Sequence, residues 1–596
     1  MRSGLLLFTL AGLMLVGGGA RLVYIERTEG EALRQTQLRQ STATLVIPAQ
    51  RGDILDSRGR VLAGSTRLPS VYVDPSCVDD PRFACYSVAP VLGLDAAQLE
   101  RDLRRAQTPT DEQPGGSRFL WIKREITNGE LDAFNLVRQT RQLGAFGVQY
   151  EPKRVYPCGR LAAQVLGFVR AEYKGLAGIE HAFEEQLRGT PGQRRYTVDV
   201  RRRKLRQHAE DYTPPRDGAS VVLTIDAYIQ QRAEHWLRDA VTTHKAAWGA
   251  CVVMDPQTGE VLAMASVPDF DPADPFPGAR GELRDADLER TRNRAIADQF
   301  EPGSIFKPFV ASLALEEGLT RIGENFAING PTRVFGGRTI HDTHPYGALL
   351  FEEIISKSSN IGMALLGTRC GNPRLHRYVR SFGFGDPTGI TLPGEASGKV
   401  RDIAVWGPFS TQSVPFGQEL SVTSIQVATA FSVFSNGGVL YRPRIVRGLI
   451  GPDGIALFDD SAPVPVRRVL AEQTAREFRL KALAQTVISG TGKNAALKDH
   501  QVFGKTGTAE IADPRLGYLP GQYVGSFVGG APSDHPRVVA VVSIYRPSAG
   551  KYYGGTVAAP AAREIIADVL AYMHVPPQRD MPLPPSLSAR AAADRD

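Results

Sequence analysis

The chain has 596 residues, too many for one hydrophobic core, so at least two domains are expected. Its 42% hydrophobic and 22% charged residues are typical of a globular protein. The net charge of +7 is small and spread out, and no basic segment is interleaved with aromatic residues, which argues against nucleic-acid binding. The densest basic run, 201–204, predicts a solvated face, with contact to anionic lipid or a partner as the alternative.

The first predicted element is an apolar segment at the N-terminus. Residues 4–20 carry no charge, Arg21 follows, and Leu22 to Ile25 are again apolar. A membrane-spanning helix needs about 20 residues, so we predict a single transmembrane anchor over 1–25. The small residues of "GGGA" also fit a signal-peptide cleavage site, which is the alternative. In both cases the rest of the chain is exported.

Residues 26–215 are predicted to form an N-terminal domain of mixed structure. A polar helix, "EGEALRQTQLRQ", is expected to leave the membrane. Short strands are predicted within "RGDILDSRGRVLA" and "SVYVDPS", and a helix within "GIEHAFEEQLRG". The polar segment 209–220 contains two prolines and a glycine, which predicts a domain boundary.

Residues 216–575 are predicted to form the larger domain. Asp226 is expected to cap an amphipathic helix, and "WGACVVMDPQTGEVLAMASV" predicts a hairpin. Two strands, "QYVGSFVGGAP" and "RVVAVVSIY", precede a helix in "VAAPAAREIIADVLAYM". Strands at both ends of a helix-rich middle predict an α+β fold. The tail 576–596 is rich in proline, alanine and charge, which predicts disorder.

The five cysteines form no C-x-x-C pair, so neither a metal site nor a redox pair is expected from them. Cys77 and Cys85 are close enough in sequence to form a disulfide in an oxidising compartment, and two free thiols are the equal alternative. Cys251 lies in an apolar run and is predicted to be a core residue.

The segment "EPGSIFKPF" contains a serine and a lysine three residues apart. Pro302-Gly303 predicts a turn before an apolar helix, which would put Ser304 at the helix N-terminus and Lys307 one turn further on the same face. Free backbone N–H groups there favour an oxyanion. The alternative is that Ser304 is an ordinary N-cap.

Two further motifs follow in order: Ser358-Ser359-Asn360, an S-x-N, and Lys505-Thr506-Gly507, a K-T-G. S-x-x-K, S-x-N and K-T-G together are the set found in penicillin-recognising serine enzymes. Ser304 would attack a carbonyl and form an acyl-enzyme. Lys307 would be the base, which requires a neutral amine, and both burial and nearby Lys505 favour that form.

The remaining motif residues have tasks that suit a peptide substrate. Ser358 would relay a proton to the leaving amine, and Asn360 would hold the substrate amide and Lys307. Gly507 would let a peptide approach the strand edge, with Ser359 also assigned to substrate binding. Lys505 and the hydroxyls of Thr506 and Thr508 suit a terminal carboxylate. The backbone N–H groups of Ser304 and Thr508 would form the oxyanion hole.

On these motifs the chain resembles the class B penicillin-binding proteins, from about residue 20 to 575. "RGDILDSRGRVLA" and "GLAGIEHAFEEQLRGTPG" are similar to motifs of the family's elongated pedestal (dimerisation-like) domain, although Ser57 stands where the pattern often has arginine. "SKSSNIGMALL" and "GKTGTAE" are similar to its transpeptidase core. "GQYVGSFVGGAP" and "YYGGTVAAP" resemble the division-specific type more than the elongation type. The resemblance implies an antiparallel sheet with helices around a serine transpeptidase site.

The function implied is peptidoglycan D,D-transpeptidation through Ser304, with β-lactams as inhibitors. The implied partners are stem peptides ending in D-Ala-D-Ala, a SEDS-type glycosyltransferase and other division proteins. The implied location is the inner membrane, with the catalytic domain in the periplasm at the division site. Alternatives are an elongation-type transpeptidase, a D,D-carboxypeptidase or β-lactamase-like hydrolase, and a catalytically silent β-lactam-binding scaffold. "IHDTHPYG" places two histidines and Asp342 together, but without a third ligand at a usual spacing we expect neither a metal nor a cofactor.

Overall fold

The computed structural model describes residues 2–28, 42–109, 117–170, 173–198, 204–278, 285–513 and 515–578. The α-helices in these ranges are, in chain order, α1 (Arg2–Thr28), α2 (Pro81–Leu92), α3 (Ala96–Gln107), α4 (Asn128–Thr140), α5 (Ala163–Leu166), α6 (Gly178–Ala182), α7 (Glu184–Arg188), α8 (Ala227–Thr243), α9 (Asp285–Thr291), α10 (Arg294–Ala297), α11 (Lys307–Glu316), α12 (Phe351–Ser356), α13 (Asn360–Ser381), α14 (Ser410–Ser413), α15 (Ser424–Ser432), α16 (Glu472–Phe478), α17 (Ala484–Ile488), α18 (Gly554–Val557) and α19 (Ala559–Tyr572).

The strands are β1 (Thr42–Ile47), β2 (Ile54–Leu55), β3 (Val61–Val73), β4 (Leu120–Lys123), β5 (Phe146–Val155), β6 (Val169–Arg170), β7 (Lys174–Gly175), β8 (Gly192–Val198), β9 (Lys204–Thr213), β10 (Ser220–Leu223), β11 (Trp248–Met254), β12 (Val261–Val267), β13 (Asn325–Ala327), β14 (Thr332–Phe335), β15 (Arg338–His341), β16 (Ala348–Leu350), β17 (Lys399–Val400), β18 (Leu420–Ser421), β19 (Val439–Tyr441), β20 (Val446–Ile450), β21 (Ala456–Asp459), β22 (Pro465–Arg468), β23 (Phe503–Asp513), β24 (Gly517–Ala531) and β25 (Val538–Tyr545).

The chain forms two compact units, and the smaller comprises Met1–Arg51 and Arg188–Gly218. It contains α1 and an antiparallel three-stranded sheet in the order β1-β8-β9. Within α1, Thr9–Thr28 is long and apolar enough to cross a membrane and is not buried against other residues. The helix agrees with the predicted anchor over 1–25.

The larger unit comprises Gly52–Leu187 and Ala219–Asp596. Its N-terminal part packs α2, α3 and α4 against β3, β4 and β5. Cys85 is buried in this core, where burial raises the pKa of its thiol to about 11, and Cys77 lies exposed in a turn. The two thiols are free, which decides between the two states left open by the sequence.

The C-terminal part is built on a five-stranded antiparallel sheet in the order β12-β11-β25-β24-β23. Alternate residues of β11 enter two different cores: Val252 packs on one face, and Cys251 and Val253 pack on the other. α8 and α19 cover one face, and α11 and α15 pack into the core on the opposite face. The predicted α+β fold, the β11–β12 hairpin and the core position of Cys251 are confirmed.

A second sheet joins the two parts of this unit. Its strand order is β21-β20-β10-β2-β3-β4, with β5 also paired to β3. β2 and β3 precede the predicted boundary at 215/216, whereas β10, β20 and β21 follow it. The predicted domains therefore share a hydrogen-bonded sheet.

A cluster of charged residues ties the start of α8 to the N-terminal part. Asp226 caps α8 by accepting from Tyr228 N at 2.9 Å, as predicted. It also accepts from Arg58 Nε at 2.9 Å and Arg60 Nη2 at 2.9 Å. Arg60 also pairs with buried Asp56 at 2.6 Å. Although position 57 is serine and not the arginine of the family pattern, Asp56 has a cationic partner in Arg60.

Two predictions about the ends of the N-terminal domain have different outcomes. β9 continues to Thr213, so the first half of the predicted boundary 209–220 is a strand. This strand pairs with β8, and the division between the two compact units falls at Gly218, within the predicted boundary segment. The polar helix after the anchor and most of the tail lie outside the described residues. The boundaries 1–25, 26–215, 216–575 and 576–596 stay predictions.

Two adjacent residues of β5 provide a test of how burial changes the contribution of an ion pair to the free energy of unfolding. Arg154 donates to Glu180 at 2.6 Å with both side chains almost fully buried, whereas Lys153 pairs with Glu125 at 2.6 Å in an exposed position. We expect Arg154→Met to lower the free energy of unfolding by about 3–5 kcal/mol, because it leaves a buried carboxylate without its cation. Lys153→Met should cost only about 0–1 kcal/mol. Urea unfolding of the detergent-solubilised chain measures both, and equal midpoints would contradict the assignment.

Candidate active site

The turn that contains Ser304 leads into a buried helix. Gly303–Phe306 forms a 3-10 turn, and α11 begins at Lys307. Gly303 and Ile305, the neighbours of Ser304 in the chain, are buried, whereas Ser304 itself is partly exposed. Among the described residues, none forms a hydrogen bond with the Ser304 hydroxyl. The predicted position of Ser304, one turn before Lys307, is confirmed, and its hydroxyl is available to a ligand.

Two glycines, which have no side chain, allow this turn to pack directly on β23. A Cβ atom at Gly507 would lie 2.8 Å from Ile305 Cγ2 and 2.6 Å from Ser526 Oγ. Gly303 has a φ of +53° and donates its N–H to the Gly417 carbonyl at 3.1 Å. Glycine at 507 is thus required by the packing of the chain on itself. That a substrate backbone also approaches there stays a prediction.

The three motifs meet at the hydroxyl of Ser358. Lys307 Nζ donates to Ser358 Oγ at 3.1 Å, to Asn360 Oδ1 at 2.8 Å and to the Ser358 carbonyl. Lys505 Nζ donates to the same Ser358 Oγ at 2.9 Å and to the Thr506 carbonyl at 3.0 Å. Both lysines are 0% exposed, so solvent does not separate their charges. One serine hydroxyl therefore joins the S-x-x-K lysine to the K-T-G lysine.

Burial determines the protonation of this lysine pair. It lowers the pKa of Lys307 to about 7, against an opposing effect of the Asp342 carboxylate. Burial, together with the Lys307 ammonium, also lowers the pKa of Lys505 well below its usual range. The free site does not retain two ammonium groups readily. A substrate carboxylate beside Lys505 would favour the charged form of that lysine. The role predicted for Lys505, binding of a terminal carboxylate, requires that form.

Ser359, Thr506 and Thr508 form hydrogen bonds inside the protein. Ser359 is 0% exposed, and its hydroxyl donates to Asp342 at 2.5 Å and accepts from Gly362 N at 2.9 Å. This geometry favours a capping role over the substrate contact predicted for Ser359. Thr506 Oγ1 lies 2.6 Å from another hydroxyl, that of Thr491, and Thr508 Oγ1 accepts from Gly554 N at 3.1 Å.

The K-T-G motif lies on the edge strand β23 of the five-stranded sheet. One side of an edge strand has no partner within its sheet, which supports the predicted addition of a peptide strand there. Thr508 and Ala509 are partly exposed on this strand. The proposed oxyanion hole from the N–H groups of Ser304 and Thr508 stays a prediction.

Three residues around the motifs were not predicted as site residues. Asp342 had been considered only for a metal, and the described residues contain no group of three or more His, Cys, Asp or Glu that could hold one. It instead binds the S-x-N segment. Thr491 contacts Thr506, and Gly554 lies against β23, where a Cβ would be 2.2 Å from the Gly507 carbonyl oxygen. The sequence signal for Thr491 and Gly554 is glycine-rich context, in "SGTGKNA" and "YYGGT", and Asp342 lies in the segment "IHDTHPYG".

Two family models match the chain. Residues 46–223 match the penicillin-binding protein dimerisation domain, and residues 249–567 match the penicillin-binding protein transpeptidase domain. The second match includes all three motifs of the candidate site.

Curated relatives and solved structures agree with these matches. The chain is 33% identical to stage V sporulation protein D of Bacillus subtilis over 94% of this chain and 84% of that protein. It is 32% identical to peptidoglycan D,D-transpeptidase FtsI of Escherichia coli over 89% of this chain and 85% of that protein. The structure of penicillin-binding protein 3 of Mycobacterium tuberculosis complexed with aztreonam aligns with a TM-score of 0.68 and 28% identity, covering 91% of this chain and 99% of that one.

The two buried lysines should differ in their tolerance of arginine. We expect Lys307→Arg to reduce the second-order rate of acylation by penicillin about 10²–10⁴-fold, the usual cost of removing a general base, because arginine does not lose its proton. Lys505→Arg should retain more activity, because arginine also supplies a cation. Exposed Lys481→Arg is the matched control, and circular dichroism checks folding. Equal rates for Lys307→Arg and Lys505→Arg would exclude Lys307 as the base.

Proposed function

The chain belongs to the class B penicillin-binding proteins and is a serine-type peptidoglycan D,D-transpeptidase; on that premise, we propose that Ser304 is its nucleophile and Lys307 its general base. One observation supports this assignment above the others: two solvent-excluded lysines share the Ser358 hydroxyl. One of them, Lys307, follows by three residues the partly exposed Ser304, whose hydroxyl has no hydrogen bond among the described residues. A neutral lysine and a free hydroxyl one helical turn apart are what nucleophilic attack requires.

In the first half-reaction, Ser304 Oγ attacks the carbonyl carbon of the penultimate D-Ala of a donor stem peptide. Lys307 accepts the hydroxyl proton as the C–O bond forms. The C–N bond to the terminal D-Ala then breaks, Ser358 passes a proton to the leaving amine, and Lys307 gives the proton it accepted to Ser358. The hydrogen bonds of Ser358 Oγ with both lysines, at 3.1 and 2.9 Å, support this relay because they connect it to two proton sources.

In the second half-reaction, an amine of a neighbouring stem peptide attacks the ester on Ser304. As the C–N bond forms, the amine gives a proton to Lys307 through Ser358. The C–O bond to Ser304 then breaks, Lys307 returns that proton to the Ser304 oxygen, and the new amide bond cross-links the two peptides. Water in place of the amine would give D,D-carboxypeptidase activity. β-Lactams would acylate Ser304 in the same way, as expected for a chain similar to a penicillin-binding protein whose structure is known with aztreonam.

The substrate is expected to bind as an added strand along β23. Lys505, Thr506 and Thr508 would hold its terminal carboxylate, and Asn360 would contact its amide. The edge position of β23 supports this arrangement. The partly exposed side chain of Thr508 also supports it. Thr506 is nearly buried, so it would need its hydroxyl to turn from Thr491 towards the carboxylate.

We also propose that the enzyme acts at the division septum, held in the inner membrane by α1 with the catalytic part in the periplasm. Its similarity to FtsI and its apolar N-terminal helix support this location. A SEDS-type glycosyltransferase that supplies the glycan strand, and other division proteins, would be its partners. Contact with them would use the anchor and the N-terminal domain.

The nucleophile is tested by covalent labelling. Fluorescent penicillin should label the protein once, on the tryptic peptide that contains Ser304, and Ser304→Ala should abolish this label because no other hydroxyl occupies its position. Ser312→Ala, on the buried helix α11 that follows Ser304, is the matched control and should label normally. Turnover of a D-Ala-D-Ala thioester with and without an added amine separates transpeptidase, hydrolase and silent scaffold. Full labelling of Ser304→Ala would refute the assignment.

Location is tested with the native protein. It should resist alkaline extraction from membranes, because an uncleaved apolar helix stays in the bilayer, and its catalytic part should be cut by protease added to the periplasm. N-terminal sequencing that begins near Arg21 would show a cleaved signal peptide instead. A fluorescent fusion should gather at midcell, whereas uniform signal along the side wall would favour the elongation type.

A further inference from the structure

Asp342 binds the segment that contains the S-x-N motif. It follows β15, and its carboxylate accepts three hydrogen bonds: from Ser359 Oγ at 2.5 Å, from Asn360 N at 2.5 Å and from Ile361 N at 3.0 Å. The two N–H groups belong to the first turn of α13, where a helix has free donors and a positive dipole end. A carboxylate from a distant strand thus caps the helix that begins with Asn360.

This contact holds a strained part of the active site. Ser358 has a φ of +63°, a left-handed conformation that is unfavourable for a residue with a side chain. On its N-terminal side, Ser358 N and Ser359 N donate to carbonyls of α12 at 3.2 and 2.9 Å. On its C-terminal side the bonds to Asp342 restrain the chain. The strained turn is what directs Ser358 and Asn360 towards Lys307.

The backbone next to Asp342 restrains Asn360 further. Asn360 Nδ2 donates to the His341 carbonyl at 3.0 Å, which leaves Asn360 Oδ1 to accept from Lys307. The His341–Asp342 segment therefore fixes both the backbone and the amide orientation of Asn360. A side chain held from two directions loses little freedom when the substrate binds.

We propose that Asp342 is a positioning residue for acyl transfer, which fixes the Ser358–Asn360 turn against Lys307 and places a negative charge beside the lysine pair. The proposal rests on the function proposed above. The Asp342 carboxylate opposes the effect of burial on Lys307, since it favours the protonated form. The charged groups that face Lys307 are Asp342, after β15, and Lys505, on β23. Tyr346 also faces Asp342, and its pKa is raised by burial, by Asp342 and by Glu353.

The sign of the charge effect gives a measurement that a purely structural role would not change. A general base works only when neutral, so acylation falls as the pH drops through the pKa of Lys307. Asp342→Asn removes the negative charge, which lowers that pKa, so the acid limb of the rate profile should move to lower pH. The amide also replaces one acceptor oxygen by a donor, and the resulting misplacement should reduce the plateau rate by up to about 10²-fold.

Three other variants separate position from charge. Asp342→Glu keeps the charge and shifts the oxygens, so the plateau rate should fall with the acid limb near its wild-type pH. Ser359→Ala removes one hydrogen bond and leaves the charge, and it should behave in the same way. Asp80→Asn is the matched control, since Asp80 also accepts from a helix N-terminus, at Phe83 N, but in the N-terminal part, and its profile should equal the wild type.

The experiment measures the second-order rate of acylation by fluorescent penicillin from pH 5 to 9, with the full chain in detergent and thermal melting as a folding check. The proposal is supported if the acid limb of the rate profile moves to lower pH in Asp342→Asn and in none of the other variants. A wild-type profile in Asp342→Asn, or a lowered plateau with an unmoved limb in that variant, overturns it. If Asp342→Asn does not fold, a limb that moves in Asp342→Glu or Ser359→Ala overturns the proposal, and lowered plateaus with unmoved limbs support it. Labelling of Ser304→Ala would instead refute the proposed function, and the two failures are distinguishable.

Discussion

Two lysine side chains, both excluded from solvent, meet on one serine hydroxyl, and the proposed chemistry of the enzyme depends on this arrangement. A buried ammonium without a carboxylate partner is costly, and two of them repel each other through a medium that screens poorly. The pair relieves this cost by losing a proton, which leaves an amine able to act as a base near neutral pH. Burial, which elsewhere in the protein stabilises the fold, here creates a reactive group.

The fold supplies this arrangement from three separated segments. The turn at Gly303–Phe306 packs on edge strand β23, and the absence of a side chain at Gly507 allows the close approach. The start of α13 brings Ser358 and Asn360, and Asp342 holds that start from the opposite side. Lys307 and Asn360 are the first residues of helices and Lys505 lies in a sheet strand, so the fold fixes the backbone of these three residues.

The N-terminal part is joined to the catalytic part by main-chain pairing and by charge. β2 pairs in parallel with β10 over Ile54–Leu55 and Val221–Val222. Beside it, Arg58 donates to Asp226 and lies 4.5 Å from the ring centre of Tyr572. Tyr572 in turn donates to Asp226 at 3.0 Å. The helix α8 therefore begins, and the helix α19 ends, at the same charged cluster.

Sequence alone was enough for the local elements and for the identity of the chemistry. Asp226 as a cap, the β11–β12 hairpin and the helix after Ser304 follow from hydrophobic period and capping rules, which act over a few neighbouring residues. The order S-x-x-K, S-x-N, K-T-G predicts Ser304, Lys307, Ser358, Asn360 and Lys505 as site residues, and the structure joins the last four by hydrogen bonds. Tertiary structure alone decided that β9 extends into the predicted boundary segment, that the thiols of Cys77 and Cys85 are free, and that Ser359 caps a helix. It also placed Asp342 against the start of α13, whose bonded residues are 17 to 19 positions away in sequence. The physical reason is that strand pairing, burial and the orientation of a carboxylate depend on contacts between distant segments, and no local pattern specifies those contacts.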